Sequence, residues 1–174
     1  MARYRRANVA GGSYFFTVVT ERRQAILTDA AIREALRAAI ETVRVRRPFR
    51  IDGWVLLPDH QHTIWTLPEG DADFATRWRL IKSHVTRACG GAYFRSAWLT
   101  DRRAKKACGT LWQHRYWEHL LRDEADRRHP LDYLHWNPVK HGRVKQVADW
   151  PWSSFHRHVA LGNYPLDWGV AVPL

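Results

Sequence analysis

The alternation of apolar and polar positions divides the chain into strand-like and helix-like stretches. Ser13-Tyr14-Phe15-Phe16-Thr17-Val18-Val19-Thr20 is a run of aromatic and β-branched residues and predicts a first strand, closed by Arg22-Arg23. Thr28-Asp29 is an N-cap signal, and Ile32, Leu36, Ala39, Ile40 and Val43 follow at helical spacing, predicting a helix over 29–45. Arg44, Arg46 and Arg47 load its end with cations, where the helix dipole favours them. Pro48 stops it. Phe49 to Leu57 reads as a second strand, Pro58-Asp59 as a tight turn, and His60 to Leu67 as a third strand returning antiparallel. Phe74, Trp78, Ile81 and Val85 form the apolar stripe of a second helix over about 73–89. Arg77, Arg79, Lys82 and Arg87 fall on its other faces, and Gly90-Gly91 reads as its stop. Residues 91–110 read as a loop, Leu111 to Leu121 as a fourth strand, and Glu124 to Trp136 as a third helix.

The order β-α-β-β-α-β with an added helix predicts an α+β, ferredoxin-like fold: an antiparallel four-stranded sheet with two helices on one face. In that topology the first and third strands are central and adjacent. The expected organisation is one domain over residues 1–174, with a basic arm at 1–12 and a Pro- and Trp-punctuated tail at 137–174 wrapping its surface.

Composition changes the picture mainly through charge. The chain carries a formal net charge of +11, with Arg well in excess of Lys, which favours a polyanionic partner such as nucleic acid. Ten tryptophans add material for stacking on unpaired bases, although most are expected in the core. Candidate phosphate contacts are Arg3, Arg5 and Arg6 in the arm, Lys82 on the second helix, the dense run Arg102, Arg103, Lys105 and Lys106, and Lys140. Cys89 and Cys108 have neither zinc spacing nor disulfide-framework density, which fits a reducing cytoplasm. No signal peptide or membrane-spanning run is read, so no membrane partner is expected.

The candidate chemistry begins at Pro58-Asp59-His60-Gln61-His62. A strand has a side-chain period of two, so His60 and His62 share a face, where two imidazoles can bind one metal ion, while Gln61 points away. His156-Arg157-His158 has the same spacing but lies in the tail with no clear strand around it, and it ranks below the first pair. A second motif is Asp132-Tyr133-Leu134-His135-Trp136-Asn137-Pro138-Val139-Lys140-His141-Gly142. Tyr133 and Asn137 are one helical turn apart, which sets a nucleophile beside an oxygen ligand. The residue before proline avoids the α region, so two outcomes are open. Asn137 is either the last residue of its helix or the N-cap of a turn starting at Pro138, and the latter would occupy its side chain with backbone amides.

The ordered set of His60/His62 after Leu-Pro-Asp, then Tyr133-x-x-x-Asn137-Pro138-Val139-Lys140-x-Gly142, then Trp152-Ser153-Ser154, resembles the REP-associated tyrosine transposases. These are relatives of the single-tyrosine, single-strand transposases within the HUH endonuclease superfamily, and the resemblance runs from Tyr14 to about His158. It implies a metal-dependent endonuclease and strand transferase acting on single-stranded DNA beside short palindromic hairpins. By correspondence His60, His62 and Asn137 are the metal ligands, Tyr133 is the nucleophile, and Mg2+ or Mn2+ is the cofactor. A free phenol has a pKa near 10, so it needs help to attack a phosphodiester; a divalent ion on the scissile phosphate supplies it. Attack would leave a 5′-phosphotyrosine link and a free 3′-OH. One departure is Gln61, where the family usually has a hydrophobic residue; the expected consequence is a local packing change. The resemblance also implies a bacterial cytoplasmic protein, acting as a monomer in preference to a dimer.

Two other functions compete. One is a non-catalytic binder of single-stranded nucleic acid that stacks bases on the sheet, with Tyr14, Phe15 and Phe16 as its platform. The other is a relaxase-like or replication-initiator nickase, a class that is generally larger and often carries paired tyrosines. Trp150-Pro151-Trp152-Ser153-Ser154 reads as an anchor for the tail.

Overall fold

A computed structural model describes residues 8–101 and 109–169. Four strands, β1 (Ser13–Val19), β2 (Arg50–Leu56), β3 (His60–Thr66) and β4 (Trp117–Leu121), form one sheet in the order β2-β3-β1-β4, with every neighbouring pair antiparallel. Helices α1 (Ala30–Arg46) and α2 (Phe74–Tyr93) pack on each other; α3 (Glu124–Lys140) and the short α4 (Phe155–Ala160) follow β4. This is the expected α+β arrangement, with β1 and β3 at the centre.

Strand alternation divides the two faces. Tyr14, Phe16, Val18 and Trp65 point into the main core with Ile32, Leu36, Trp78 and Ile81 from α1 and α2. Phe15, Val55, Ile64 and Leu121 point the other way and meet Leu134 of α3 and Trp150 of the tail. Both faces of the sheet are therefore covered. Tyr14, Phe15 and Phe16 are all buried, so the first strand does not offer the open stacking platform that the non-catalytic alternative requires. Among the described residues no helix is long and apolar enough to cross a membrane.

Several local expectations are corrected. Helix α2 runs through Gly90-Gly91 to Tyr93, because its last turns are held from outside: Cys89 Sγ donates to the Ala31 carbonyl at 3.5 Å and Tyr93 Oη to Asp29 Oδ2 at 2.9 Å. Such anchors offset the cost of helical glycine, about 1 kcal/mol each. Asp29 does sit at the N-cap of α1, but its side chain makes no capping bond. Arg77 is not on an outer face of α2. It is fully buried, and Nε, Nη1 and Nη2 together donate to the Arg47, Pro48 and Asp73 carbonyls and to both Asp71 oxygens.

The fourth strand is shorter than the Leu111–Leu121 run. Leu111 and Trp112 are buried, but the backbone of that segment is joined to the end of β1 and the turn after it by isolated links: the Thr20–Trp112 bridge and bonds from Gln113 N to the Val19 carbonyl and from Glu21 N to the Leu111 carbonyl. The Gln113 carbonyl accepts from Lys82 Nζ at 2.9 Å, drawing the backbone away from a ladder. Finally, α3 continues past Trp136 through Pro138 to Lys140, so the tail starts after it.

The tail then covers the edge of the sheet. Leu56 N donates to the Trp152 carbonyl, Ser154 N to the Trp54 carbonyl, and Trp54 N to Ser154 Oγ, all within 2.8–2.9 Å. Trp150 Nε1 adds a bond to the Leu56 carbonyl at 3.0 Å. The Trp-Pro-Trp-Ser-Ser stretch thus pairs with the otherwise open edge of β2.

Candidate active site

β3 holds its two histidines on the face that α3 crosses. Each imidazole is fixed through Nδ1. His60 Nδ1 donates to Asp59 Oδ1 at 2.7 Å, and Asp59 Oδ2 accepts from Arg23 Nη1 at 2.8 Å. Burial opposes ionisation of Asp59, but the bonds from His60 and Arg23 prevail and hold its carboxyl below the usual value. His62 Nδ1 lies 2.9 Å from Thr17 Oγ1, its cross-strand partner on β1. Burial, followed by the charges of His60, His141 and Lys140, pushes His62 down to about 3, so the ring is neutral near pH 7. Its Nε2 is buried with no hydrogen-bond partner.

Tyr133, Asn137 and His141 succeed one another at intervals of four along and just beyond α3, hence on one face. The Tyr133 ring stands 5.4 Å from that of His62, and His141 stands 5.3 Å from His60, centroid to centroid. The intervening Asn137 therefore faces the histidine pair, whose rings are 4.9 Å apart. It is fully buried, and both Oδ1 and Nδ2 lack a partner.

Both backbone outcomes considered for Asn137 are superseded, because the helix passes through it. The His141 amide donates to the Asn137 carbonyl at 3.0 Å, and the turn closes at Gly142 with φ +64°. Pro138 is buried in this last turn. Asn137 thus keeps helical backbone and a side chain unused by capping. An unpartnered amide oxygen beside an unpartnered imidazole nitrogen, both desolvated, is a donor set suited to a divalent cation. Among the described residues no group of three or more His, Cys, Asp or Glu side chains could hold a metal ion, so such a site depends on the amide.

Lys140 closes the site from the solvent side. Its ammonium lies 4.7 Å above the Tyr133 ring centroid and 3.5 Å from Tyr133 Oη. Tyr133 is 40% exposed, open to a substrate while its ring meets Phe15 and His62.

The remaining candidates are scattered. Lys82 lies on α2, across the sheet, with its ammonium bonded to the Gln113 carbonyl and over the Trp112 and Tyr116 rings. Arg3, Arg5, Arg6, Arg102, Arg103, Lys105 and Lys106 lie outside the described residues. His156 and His158 sit on α4 and not in irregular chain; two residues apart on a helix point about 200° apart. His156 Nε2 meets the Ala148 carbonyl at 2.9 Å within the tail, and His158 Nε2 meets the Asp52 carbonyl of β2 at 2.7 Å, so the first braces the tail and the second docks it on the sheet. Gln61 points into the opposite core as expected, where Oε1 accepts from Trp54 Nε1 at 3.0 Å.

Thr17, Asp59 and His141 stand against the histidine pair but are not among the candidates named from the sequence motifs. Asp59 had a visible signal, a carboxylate directly before a candidate ligand, and His141 had its spacing from Asn137. Thr17 had none, because only strand register brings it to His62.

No protein-family model matches the chain. It is 50% identical over 169 residues to a REP-associated tyrosine transposase of Escherichia coli (strain K12), covering 97% of this chain and 91% of that one. It is 42% identical over 170 residues to a putative REP-associated tyrosine transposase of Haemophilus influenzae, covering 97% of this chain and 94% of that one. A solved structure of a REP-associated tyrosine transposase bound to a REP hairpin superposes with a TM-score of 0.80 at 50% identity, over 97% of this chain and 91% of that chain. With half its residues shared along nearly its whole length, the chain belongs to the REP-associated tyrosine transposases.

Proposed function

We propose that this chain cuts and rejoins single-stranded DNA beside short hairpins, using Tyr133 as nucleophile. His60, His62 and Asn137 are the ligands of a Mg2+ or Mn2+ ion in this reading. One observation carries it: the helix face bearing Tyr133 and the unpartnered Asn137 meets the strand face bearing the histidines, with Tyr133 5.4 Å from His62. The hairpin-bound relative supports hairpin DNA as the partner, and the net charge of +11 suits it.

The chemistry is an exchange of one phosphodiester for another. Tyr133 Oη attacks phosphorus in line; the bond to the 3′-oxygen breaks as the tyrosyl bond forms, and the phenolic proton ends on the departing 3′-OH. His60, His62 and Asn137 would hold the cation, which when bound would supply Lewis-acid charge to the scissile phosphate. Asp59 and Thr17 hold the imidazoles by Nδ1, leaving each Nε2 lone pair for that ion when Nδ1 is the donor. Lys140, beside Oη, places positive charge where the phenol loses its proton. Because the product bond is again a phosphodiester, a 3′-OH can reverse the step, which is strand joining. The chain acts as a monomer in this reading.

The test is a denaturing gel. With Mn2+ and hairpin-bearing single-stranded DNA, the unsubstituted chain should form a covalent adduct, and Tyr133→Phe should form none while binding DNA equally well. An undiminished adduct in that variant would remove Tyr133 from the role.

A further inference from the structure

Beside Tyr133, the same side of the sheet carries a groove that the reading above does not use. Thr17 pairs with Trp117 and Phe15 with His119, so both β4 side chains lie on the α3 side. Their rings are nearly parallel, 7° between planes with centroids 5.8 Å apart. Asp126 of α3 accepts from His119 Nε2 at 3.3 Å and fixes that ring. Trp117 meets Phe15 edge-on at 5.9 Å, yet the residue is 52% exposed. With His129 and Pro130 of α3 these side chains line a groove of about 510 Å3 that ends on Tyr133 and His62.

We infer that this groove is a nucleobase subsite, in which a base next to the phosphodiester attacked by Tyr133 stacks on the Trp117 indole. The inference rests on Tyr133 being the nucleophile. A strand placed with its phosphate at Tyr133 must send a neighbouring base somewhere, and the adjoining surface is a flat, half-exposed indole in a groove of nucleotide size. Stacking is indifferent to base identity because every base has a π-face. Any preference among bases would come from the polar side chains lining the same groove, His119 and His129. Asp126 serves there mainly by orientation, since its other oxygen accepts from the Arg122 amide.

The experiment is an abasic scan. A hairpin-bearing single strand that the unsubstituted chain cuts is remade with an abasic residue at each position flanking the cut, and binding is measured in the Tyr133→Phe background. One flanking position should bind roughly 5- to 150-fold more weakly when abasic, the range for stacking on one aromatic. In Tyr133→Phe/Trp117→Ala that penalty should vanish, and in Tyr133→Phe/Trp117→Phe it should largely remain. 2-Aminopurine at the same position should be quenched on binding only where residue 117 is aromatic. A scan with the same penalties in the presence and absence of the indole overturns the subsite even though adduct formation continues. Failure of the unsubstituted chain to form any adduct overturns the Tyr133 reading instead.

Discussion

The Tyr133 ring stands across the strand–helix gap from His62, 5.4 Å between centroids and 63° between planes. The pair joins a helix and a central strand that follow different segments of the chain, and under the proposed function it marks where nucleophile and metal ligands would meet. If His62 is a ligand, its substitution must affect the ion as well as the rate. His62→Ala and Asn137→Ala should each abolish or greatly weaken Mn2+ binding measured by calorimetry. His156→Ala, whose ring bonds only within the tail to the Ala148 carbonyl at 2.9 Å, should bind as the parent does. Equal Mn2+ affinity in His62→Ala would move the ion elsewhere.

Asp59 orients His60 and is itself tied to Arg23, whose backbone, like that of Arg22, holds a positive φ. Substituting a carboxylate that orients a metal-binding histidine typically costs about 10- to 100-fold in metal affinity. Asp59→Ala should fall in that range. Arg23→Ala should cost less, because the exposed guanidinium acts only through Asp59. A Mn2+ titration of the two variants checks the order.

The Arg77–Asp71 pair sets an acid limit on stability. Bonds from the Arg77 guanidinium, only partly offset by burial, hold Asp71 below the usual carboxylate range. A depressed folded-state value means the contribution is complete above the unfolded value and is lost as pH falls through the folded one. Asp71→Ala should cost about 3 kcal/mol at neutral pH, the low end for stranding a buried charge, since Asp71 is one-third exposed. The difference between variant and parent should shrink below about pH 4, as chemical denaturation at several pH values will show.

Gly53 lets α3 approach β2. A Cβ there would come 2.7 Å from Leu131 Cδ1 and 3.5 Å from Leu134 Cδ1. Leu131 can swing aside for one methyl, so Gly53→Ala should be mild. Gly53→Val should cost about 1–3 kcal/mol by overpacking. Because the strain falls on the helix carrying Tyr133, adduct yield should drop even where the fold survives. A Gly53→Val chain with parental melting temperature and yield would show that α3 has slack.

What the sequence determined by itself was everything carried by short-range periodicity. The β-prone run at residues 13–20 became β1, the stripe Ile32, Leu36, Ala39 and Val43 became the buried side of α1, and the period of two put His60 and His62 on one face. The four-residue step likewise aligned Tyr133 with Asn137. Tertiary structure decided what depended on partners distant in sequence. Gly90-Gly91 stayed helical because Asp29 and Ala31 hold the turns around them. Arg77, polar by type, went inside because carbonyls of the α1–β2 connection and Asp71 surround it. Helix α3 continued through Pro138, which made Asn137 a buried, unpartnered amide and not a cap. The two His-x-His motifs, equal in spacing, were separated by backbone. On a strand the period of two brings both rings to one side, whereas on α4 the same spacing sends them apart to separate carbonyls.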